Sequence, residues 1–172
     1  MTSDFSLRPA KPRDQNRIWE ILQQAIELRK QEGSQQWQDG YPNLKVVQQD
    51  IDKGYGYVLV TSNGSIVAYA AAIFDGEPAY DALEGEWLSN QDYLVIHRVA
   101  VAQDNKIKGM ATHLMKVLEG LALSHQVYSI KIDTNFDNKA MLRILEKLGY
   151  QHCGKVYFRG SAREAFEKLL TA

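Results

Sequence analysis

A junction between an apolar segment and a helix contains the residues whose types and spacing best suit chemistry. Residues 93–102 predict a strand, a polar loop with Lys106 and Lys108 follows, and the small residues Gly109 and Ala111 open a helix. The first N–H groups of a helix have no acceptor within it, and the helix dipole adds positive potential there. Because small residues let the backbone close around an anion, this corner predicts a site for phosphate or diphosphate.

The same corner also has a purely structural interpretation. Gly109 and Ala111 equally suit a tight entry of a helix onto a sheet, and the two residues alone do not decide between the interpretations. The P-loop pattern Gly-x-x-x-x-Gly-Lys-Ser/Thr does not occur, and the corner lacks the three small residues of Gly-x-Gly-x-x-Gly. Both of these nucleotide-binding signatures are therefore excluded.

Composition limits the class of protein. The 172 residues carry 20 Lys and Arg against 21 Asp and Glu, so the net charge of −1 argues against binding nucleic acid by bulk electrostatics. Cys153 is the only cysteine, which excludes an internal disulfide. The longest apolar run, residues 66–74, is about half of what a membrane-spanning helix needs. With no export signal at the N-terminus, we expect one soluble, cytoplasmic domain over residues 1–172 with no membrane partner.

Helical and strand patterns alternate along the chain, which predicts a mixed α and β domain. The continuous apolarity of residues 66–74 predicts a strand covered on both faces. Residues 162–170 favour a helix by propensity. The predicted strands close at Pro9 and cover residues 55–61, 66–74, 93–102, 129–133 and 150–158; the predicted helices begin at residues 11, 43, 109 and 138.

Several segments together resemble one family. Residues 106–111, Lys-Ile-Lys-Gly-Met-Ala, resemble the acetyl-CoA signature Gln/Arg-x-x-Gly-x-Gly/Ala of the GNAT superfamily of N-acetyltransferases. Residues 97–101 resemble the fourth strand of that family, and residues 138–150 are similar to its Asn-…-Tyr-Glu-Lys-x-Gly-Phe block. Residues 7–10 and the helix after them also fit, so the resemblance covers nearly the whole chain in the family's order.

The resemblance implies the GNAT fold, an α/β (α+β) arrangement with a mixed, mostly antiparallel sheet. It implies six or seven strands, about four helices, a splayed pair formed by the fourth and fifth strands, and a last strand over residues 162–170 despite their propensity. It also implies acetyl-CoA as the co-substrate. The cofactor-binding residues carried over are Val99, Ala100, Val101, Lys106, Ile107, Lys108, Gly109, Met110, Ala111, Thr112 and Asn138.

Each of these residues has an implied role. The diphosphate would lie on residues 106–112, and the main chain of Val99 and Val101 would pair with the pantetheine arm, with the Val99 N–H steadying the developing oxyanion. Asn138 would reach the cofactor arm, although it also suits a helix N-cap and can do both.

Two positions depart from the family pattern. Lys106 stands where arginine or glutamine is usual; it keeps the charge but lacks the planar guanidinium. Leu145 stands where many members have a tyrosine that protonates the departing CoA thiolate. The leading hypothesis is an N-acetyltransferase acting on a small-molecule amine or amino compound by direct attack. The alternatives are a non-catalytic CoA-binding or protein-interaction module, or an enzyme that uses a different acyl-CoA donor.

His97 is the candidate general base. Since it precedes Val99 by two residues on a predicted strand, strand alternation predicts that both side chains share a face, although a merely structural histidine fits as well. His113 is expected to be solvated, His125 to lie at a helix end, and His152 and Cys153 to point to opposite faces of a strand. No histidine or cysteine clusters at metal-ligand spacing, so we predict no metal.

Two segments with aromatic residues are candidates for binding the acceptor, the molecule that receives the acetyl group. Trp37 and Tyr41 lie in one loop, and Tyr80 and Trp87 lie in residues 75–92, which contain six acids and no Lys or Arg. Aromatic rings with carboxylates suit a cationic amine, which makes these four residues candidates for substrate binding. A solvated acidic loop with aromatic anchors fits the same pattern. A homodimer is common in the superfamily, but no long exposed apolar stripe predicts one here.

Overall fold

The computed structural model describes residues 4–104 and 107–171 and contains four α-helices and eight strands among them. The helices are α1 (Gln15–Gln31), α2 (Leu44–Asp52), α3 (Met110–Ser124) and α4 (Lys139–Lys147). The strands are β1 (Phe5–Pro9), β2 (Gly56–Thr61), β3 (Ile66–Ile73), β4 (Glu84–Gly85), β5 (Leu94–Val101), β6 (Ser129–Thr134), β7 (Gln151–Phe158) and β8 (Ser161–Leu169).

The strands follow the hydrogen-bonding order β1-β2-β3-β5-β6-β8-β7-β4. The β5–β6 pair is parallel, whereas β1–β2, β2–β3, β6–β8, β7–β8 and β4–β7 are antiparallel. The predicted fold class is therefore confirmed, with one strand more than the sequence indicated. That strand, β4, has only two residues, too few for a sequence pattern to reveal.

Contacts between Cα atoms divide the chain into two compact units. The first unit comprises the residues up to Ala72 together with Arg98–Val117, and its core is formed by one face of α1 against strand residues. Ile18, Ile21 and Leu22 are completely buried there, as their helical spacing predicted. All eight residues of β3 are buried, which confirms that this strand is covered on both faces.

The second unit comprises Ile73–His97 and the residues from Leu118 onward. In it β8 pairs with β6 on one side and with β7 on the other. Two ladders of backbone hydrogen bonds, with alternate side chains buried, outweigh the helical propensity of this segment. The expectation of a last strand is thereby confirmed.

Local capping explains where the shorter helices begin. The side chain of Asn43 accepts a hydrogen bond from the Val46 N–H (3.0 Å) at the start of α2. Asn138 does the same with the Met141 N–H (3.3 Å) at the start of α4. Both asparagines are thus N-caps, which satisfy N–H groups that a helix cannot satisfy itself.

No helix of the described residues is both long and apolar enough to cross a membrane.

Candidate active site

The backbone of β5 changes conformation at Arg98. The parallel pairs with β6 run only from Leu94–Ile130 to Ile96–Ile132, although β5 continues to Val101. Arg98 has a φ of 57°, in the left-handed region that non-glycine residues rarely adopt. The prediction that His97 and Val99 share a face was based on unbroken strand alternation, and this residue interrupts it.

Buried polar groups of the first unit hold Arg98 in this conformation. Its Nε and Nη2 donate to the two carboxylate oxygens of Asp50 (2.8 and 2.6 Å), and its Nη1 donates to the Tyr41 hydroxyl (2.5 Å). The Tyr69 hydroxyl donates to Asp50 as well (2.6 Å). Burial lowers the pKa of Arg98, but the hydrogen bonds and charge of Asp50 outweigh it and leave a raised value. The bidentate ion pair thus links Asp50 of α2 to β5 at Arg98, the residue with the left-handed backbone.

We expect Asp50→Asn to destabilise the protein by about 3–5 kcal/mol, because it leaves a buried guanidinium without its counter-charge. The exposed pair between Arg17 and Asp104 provides the control, and Asp104→Asn should cost less than about 1 kcal/mol. Urea denaturation of the three proteins measures both differences. Equal small losses in the two variants would contradict the role given to Asp50.

The segment before α3 turns through a left-handed glycine. Gly109 has a φ of 78°, and a Cβ placed on it would meet nothing within 4 Å. The Met110 N–H bonds to the Ile107 carbonyl (3.3 Å) and the His113 N–H to the Gly109 carbonyl (3.0 Å), and the helix starts at Met110, one residue after the predicted start. Lys106 lies outside the described residues. Open space beside a left-handed glycine, followed by the first turn of a 15-residue helix, fits a diphosphate.

His97 lies among acidic and aromatic side chains of the second unit. Its Nε2 is 2.9 Å from the Glu77 carboxylate, and its Nδ1 is 3.9 Å from the Asp133 carboxylate. The Tyr80 hydroxyl donates to Asp133 (2.7 Å), and the ring of Phe158 meets the imidazole edge-on. The His97 side chain is 13% exposed. Since a carboxylate only accepts hydrogen bonds, Nε2 donates to Glu77, and Nδ1 is the ring nitrogen left to exchange a proton with a substrate.

Glu77, Tyr80 and Asp133 were not recognised from sequence as partners of His97. Burial and the nearby Asp133 raise the pKa of Tyr80 well above its ordinary value, so its hydroxyl stays protonated and donates. Burial raises the pKa of Asp133, while the charge of His97 and the Tyr80 hydrogen bond act in the opposite direction. The sequence indicated only that Glu77 belongs to the acidic residues 75–92 and that Asp133 lies near the end of a predicted strand.

The raised pKa of Asp133 predicts a specific pH dependence of stability. The folded chain holds this proton more tightly than the unfolded chain, so its stabilising effect is complete below the ordinary pKa of 3.8 and is lost as pH rises through the folded value. The free energy of unfolding of the wild type, minus that of Asp133→Asn, should therefore fall as pH increases from about 3.8. Urea denaturation across a pH series measures this difference, and a difference that grows with pH would contradict the prediction.

The four predicted acceptor contacts occupy different environments. Trp37 is 6% exposed in the core of the first unit, and the Arg29 guanidinium carbon lies 3.9 Å from its ring centroid. Burial lowers the pKa of Arg29 to about 10. In the same unit the hydroxyl of Tyr41 accepts from Arg98.

The other two, Tyr80 and Trp87, contact each other in the second unit. The Trp87 Nε1 donates to the Tyr80 carbonyl (2.9 Å), and Tyr80 is 1% exposed. Residues 75–92 therefore contain packed aromatic anchors, one of the two interpretations of this segment.

The remaining three histidines and Cys153 pack against, or bind to, other side chains of the protein. The expectation that His113 is solvated is wrong, because its ring packs 5.7 Å from that of Phe5 and its Nε2 is buried without a hydrogen-bond partner among the described residues. His125 follows the end of α3 and stacks on Phe74. His152 binds Glu164 (2.8 Å), while Cys153 is buried, which raises its pKa. Within residues 4–104 and 107–171, no cluster of three metal-ligating side chains was found.

Comparisons with known proteins agree on one family. The model of the acetyltransferase (GNAT) family matches residues 22–150. A crystal structure of a GNAT-family acetyltransferase from Streptococcus agalactiae is 36% identical, with a TM-score of 0.86 over 98% of this chain and 96% of that chain. The fold is shared with a GNAT-family acetyltransferase from Listeria monocytogenes (21% identity, TM-score 0.77, 96% and 95% covered). It is also shared with an N-acetyltransferase from Staphylococcus aureus Mu50 (18%, 0.68, 98% and 99%). No curated protein matches the sequence.

Proposed function

Because the chain belongs to the GNAT family of acetyltransferases, we propose that it transfers an acetyl group from acetyl-CoA to the amine of a small molecule or amino compound. The amine attacks directly, in one complex with both substrates. The proposal includes a cytoplasmic location and a small-molecule partner rather than a nucleic acid. The observation that carries it is the His97 imidazole, held between Glu77 and Asp133 two residues before Val99 on β5.

The start of α3 would bind the diphosphate of the coenzyme. The N–H groups of Ala111 and Thr112 belong to the first turn, where backbone donors lack helical acceptors and can hold diphosphate oxygens. Ile107, Lys108 and Gly109 precede them, and Lys106 adds charge by resemblance to the family signature. The main chain of Val99, Ala100 and Val101 would hold the pantetheine arm, and Asn138 would contact it while it caps α4.

The reaction requires a neutral amine, stabilisation of the developing oxyanion and a proton for the leaving thiolate. When bound, acetyl-CoA supplies the activated acyl group. His97 accepts the amine proton at Nδ1, with Asp133 3.9 Å away to stabilise the imidazolium. Glu77 holds the ring in this orientation through Nε2, and the Val99 N–H donates to the oxyanion. Leu145 is completely buried and has no acidic proton to give, so another group or solvent supplies the proton for the thiolate.

Amine-dependent release of the CoA thiol tests the proposal. Purified protein is mixed with acetyl-CoA and a panel of amines, the thiol is measured with a chromogenic disulfide, and the acetylated amine is identified by mass spectrometry. We expect thiol release that depends on both the amine and the protein. No release with any amine, under conditions in which CoA binds, would contradict it.

Leu145 favours one other function, a non-catalytic CoA-binding module. Its side chain occupies the family position of the tyrosine that protonates the thiolate, and it offers only buried apolar surface. CoA would then raise the melting temperature without any thiol release across the amine panel. The same two measurements therefore separate the two functions.

A further inference from the structure

A cavity of about 360 Å³ lies in the second unit, next to the cluster around His97. It is formed by residues 80–93 and by Lys131 of β6, and its lining includes Tyr80, Trp87, Asn90 and Tyr93. Its size is that of sites for small molecules. Aromatic rings and amides make up much of its wall, and its one buried charge is a cation.

That cation is the ammonium group of Lys131. Lys131 is 4% exposed, and its Nζ lies 4.3 Å from the ring centroid of Trp87 and 4.0 Å from that of Tyr93. No hydrogen bond or ion pair joins this ammonium to another of the described residues. Burial lowers the pKa of Lys131, and the charges of Glu167 and Asp81 offset only part of this effect.

The acidic side chains nearby are engaged or distant. Both carboxylate oxygens of Glu167 are occupied, since Leu88 N–H (2.7 Å), Ser89 hydroxyl (2.6 Å) and Ser129 hydroxyl (2.7 Å) donate to them. Asp81 lines the cavity but is exposed, and it lies beyond ion-pair distance of Lys131. The ammonium is thus held in place by two rings and remains available to an anion that enters the cavity.

The cavity adjoins the proposed reaction centre through shared residues. Lys131 and Asp133 are two apart on β6, so their side chains project from the same face. Tyr80 lines the cavity, and its hydroxyl donates to Asp133, which lies 3.9 Å from His97. A ligand with its anion at Lys131 would therefore lie on the same face of β6 as Asp133, the carboxylate that neighbours His97.

We propose that this cavity binds a carboxylate carried by the acceptor, which makes the acceptor an amino acid or another amino carboxylate. The inference rests on the proposed function and narrows its substrate class. Trp87 was predicted to bind a cationic amine of the substrate. Its ring already contacts the ammonium group of Lys131, so that face of the ring is not open to a second cation. Trp87 and Tyr93 instead fix the cation that pairs with the substrate.

Matched compounds with and without the carboxylate test the proposal by binding. Phenylalanine and phenethylamine, leucine and isoamylamine, and lysine and cadaverine are titrated by calorimetry into the protein saturated with CoA. We expect at least one amino acid to bind at least about tenfold more tightly than its decarboxylated counterpart, as one charge-assisted hydrogen bond provides. Lys131→Met should abolish that preference, and Lys131→Arg should retain it. Lys155→Met, which changes an exposed lysine of β7, is the matched control.

The outcomes separate this inference from the proposed function. If amino acids and amines bind alike, or if Lys131→Met keeps the preference, the carboxylate pocket is wrong even when acetylation of amines occurs. If the preference is present and depends on Lys131 but no acetyl group is transferred, the pocket stands and the proposed function fails. Unchanged CoA binding by Lys131→Met shows that the variant is folded.

Discussion

Gly109→Val is expected to weaken CoA binding at least about 100-fold, since loss of two charge-assisted hydrogen bonds costs about 3–6 kcal/mol. Gly109 has a φ of 78°, where a β-branched residue is strained, and its missing side chain leaves the adjoining space open. Valine would fill that space and shift the first turn of α3 away from the diphosphate. Calorimetry with CoA measures the change.

Gly64→Val provides the matched control. Gly64 lies in the hairpin between β2 and β3 with a φ of 88°, and a Cβ there would also meet nothing within 4 Å. Both substitutions therefore impose a similar backbone cost of about 1–3 kcal/mol. CoA binding by Gly64→Val should equal that of the wild type. If the two variants lose affinity equally, the loss reflects backbone strain, and the diphosphate assignment to Gly109 is wrong.

His97→Ala is expected to lower kcat about 100- to 10,000-fold near neutral pH while CoA affinity stays unchanged, because a positioned general base contributes that factor. The deficit should shrink as the pH approaches about 10, where a primary amine loses its proton without help. Steady-state rates across a pH series, with calorimetry on the same protein, measure both effects.

His152→Ala is the control for this experiment. His152 also pairs with a glutamate, Glu164, at 2.8 Å, but its side chain is 52% exposed and it lies on β7. Its loss should leave kcat and the pH profile unaltered. An unaltered profile in His97→Ala would remove His97 from the mechanism and leave the amine to be deprotonated by solvent.

Sequence patterns predicted most of the fold because the elements carry local signals. Asn43 and Asn138 mark helix starts through their side-chain chemistry, and the unbroken apolar run of β3 reflects burial on both faces. β8 is different: local propensity favours a helix there, and only the resemblance to a family indicated a strand. Its hydrogen bonds to β6 and β7 come from distant parts of the chain, which local patterns do not encode.

The candidate site was predicted unevenly for the same reason. The corner at Gly109 and the candidate base His97 are visible as residue types in a contiguous segment. The partners of His97 are not, since Glu77 is 20 residues before it and Asp133 lies on another strand. The left-handed backbone at Arg98, whose side chain binds Asp50 48 residues away, interrupts the strand alternation from which a shared face of His97 and Val99 was predicted.

Lys131 was missed because a single lysine in a strand normally signals a solvated edge. Only the folded second unit shows that the rings of Trp87 and Tyr93 enclose its ammonium group.

The most direct test of the account is calorimetric titration of the purified protein with coenzyme A. We expect saturable heat with one molecule bound per chain, and weaker binding as salt screens the diphosphate. Absence of any heat of binding at high concentrations of coenzyme A, confirmed by an unchanged melting temperature, would contradict it.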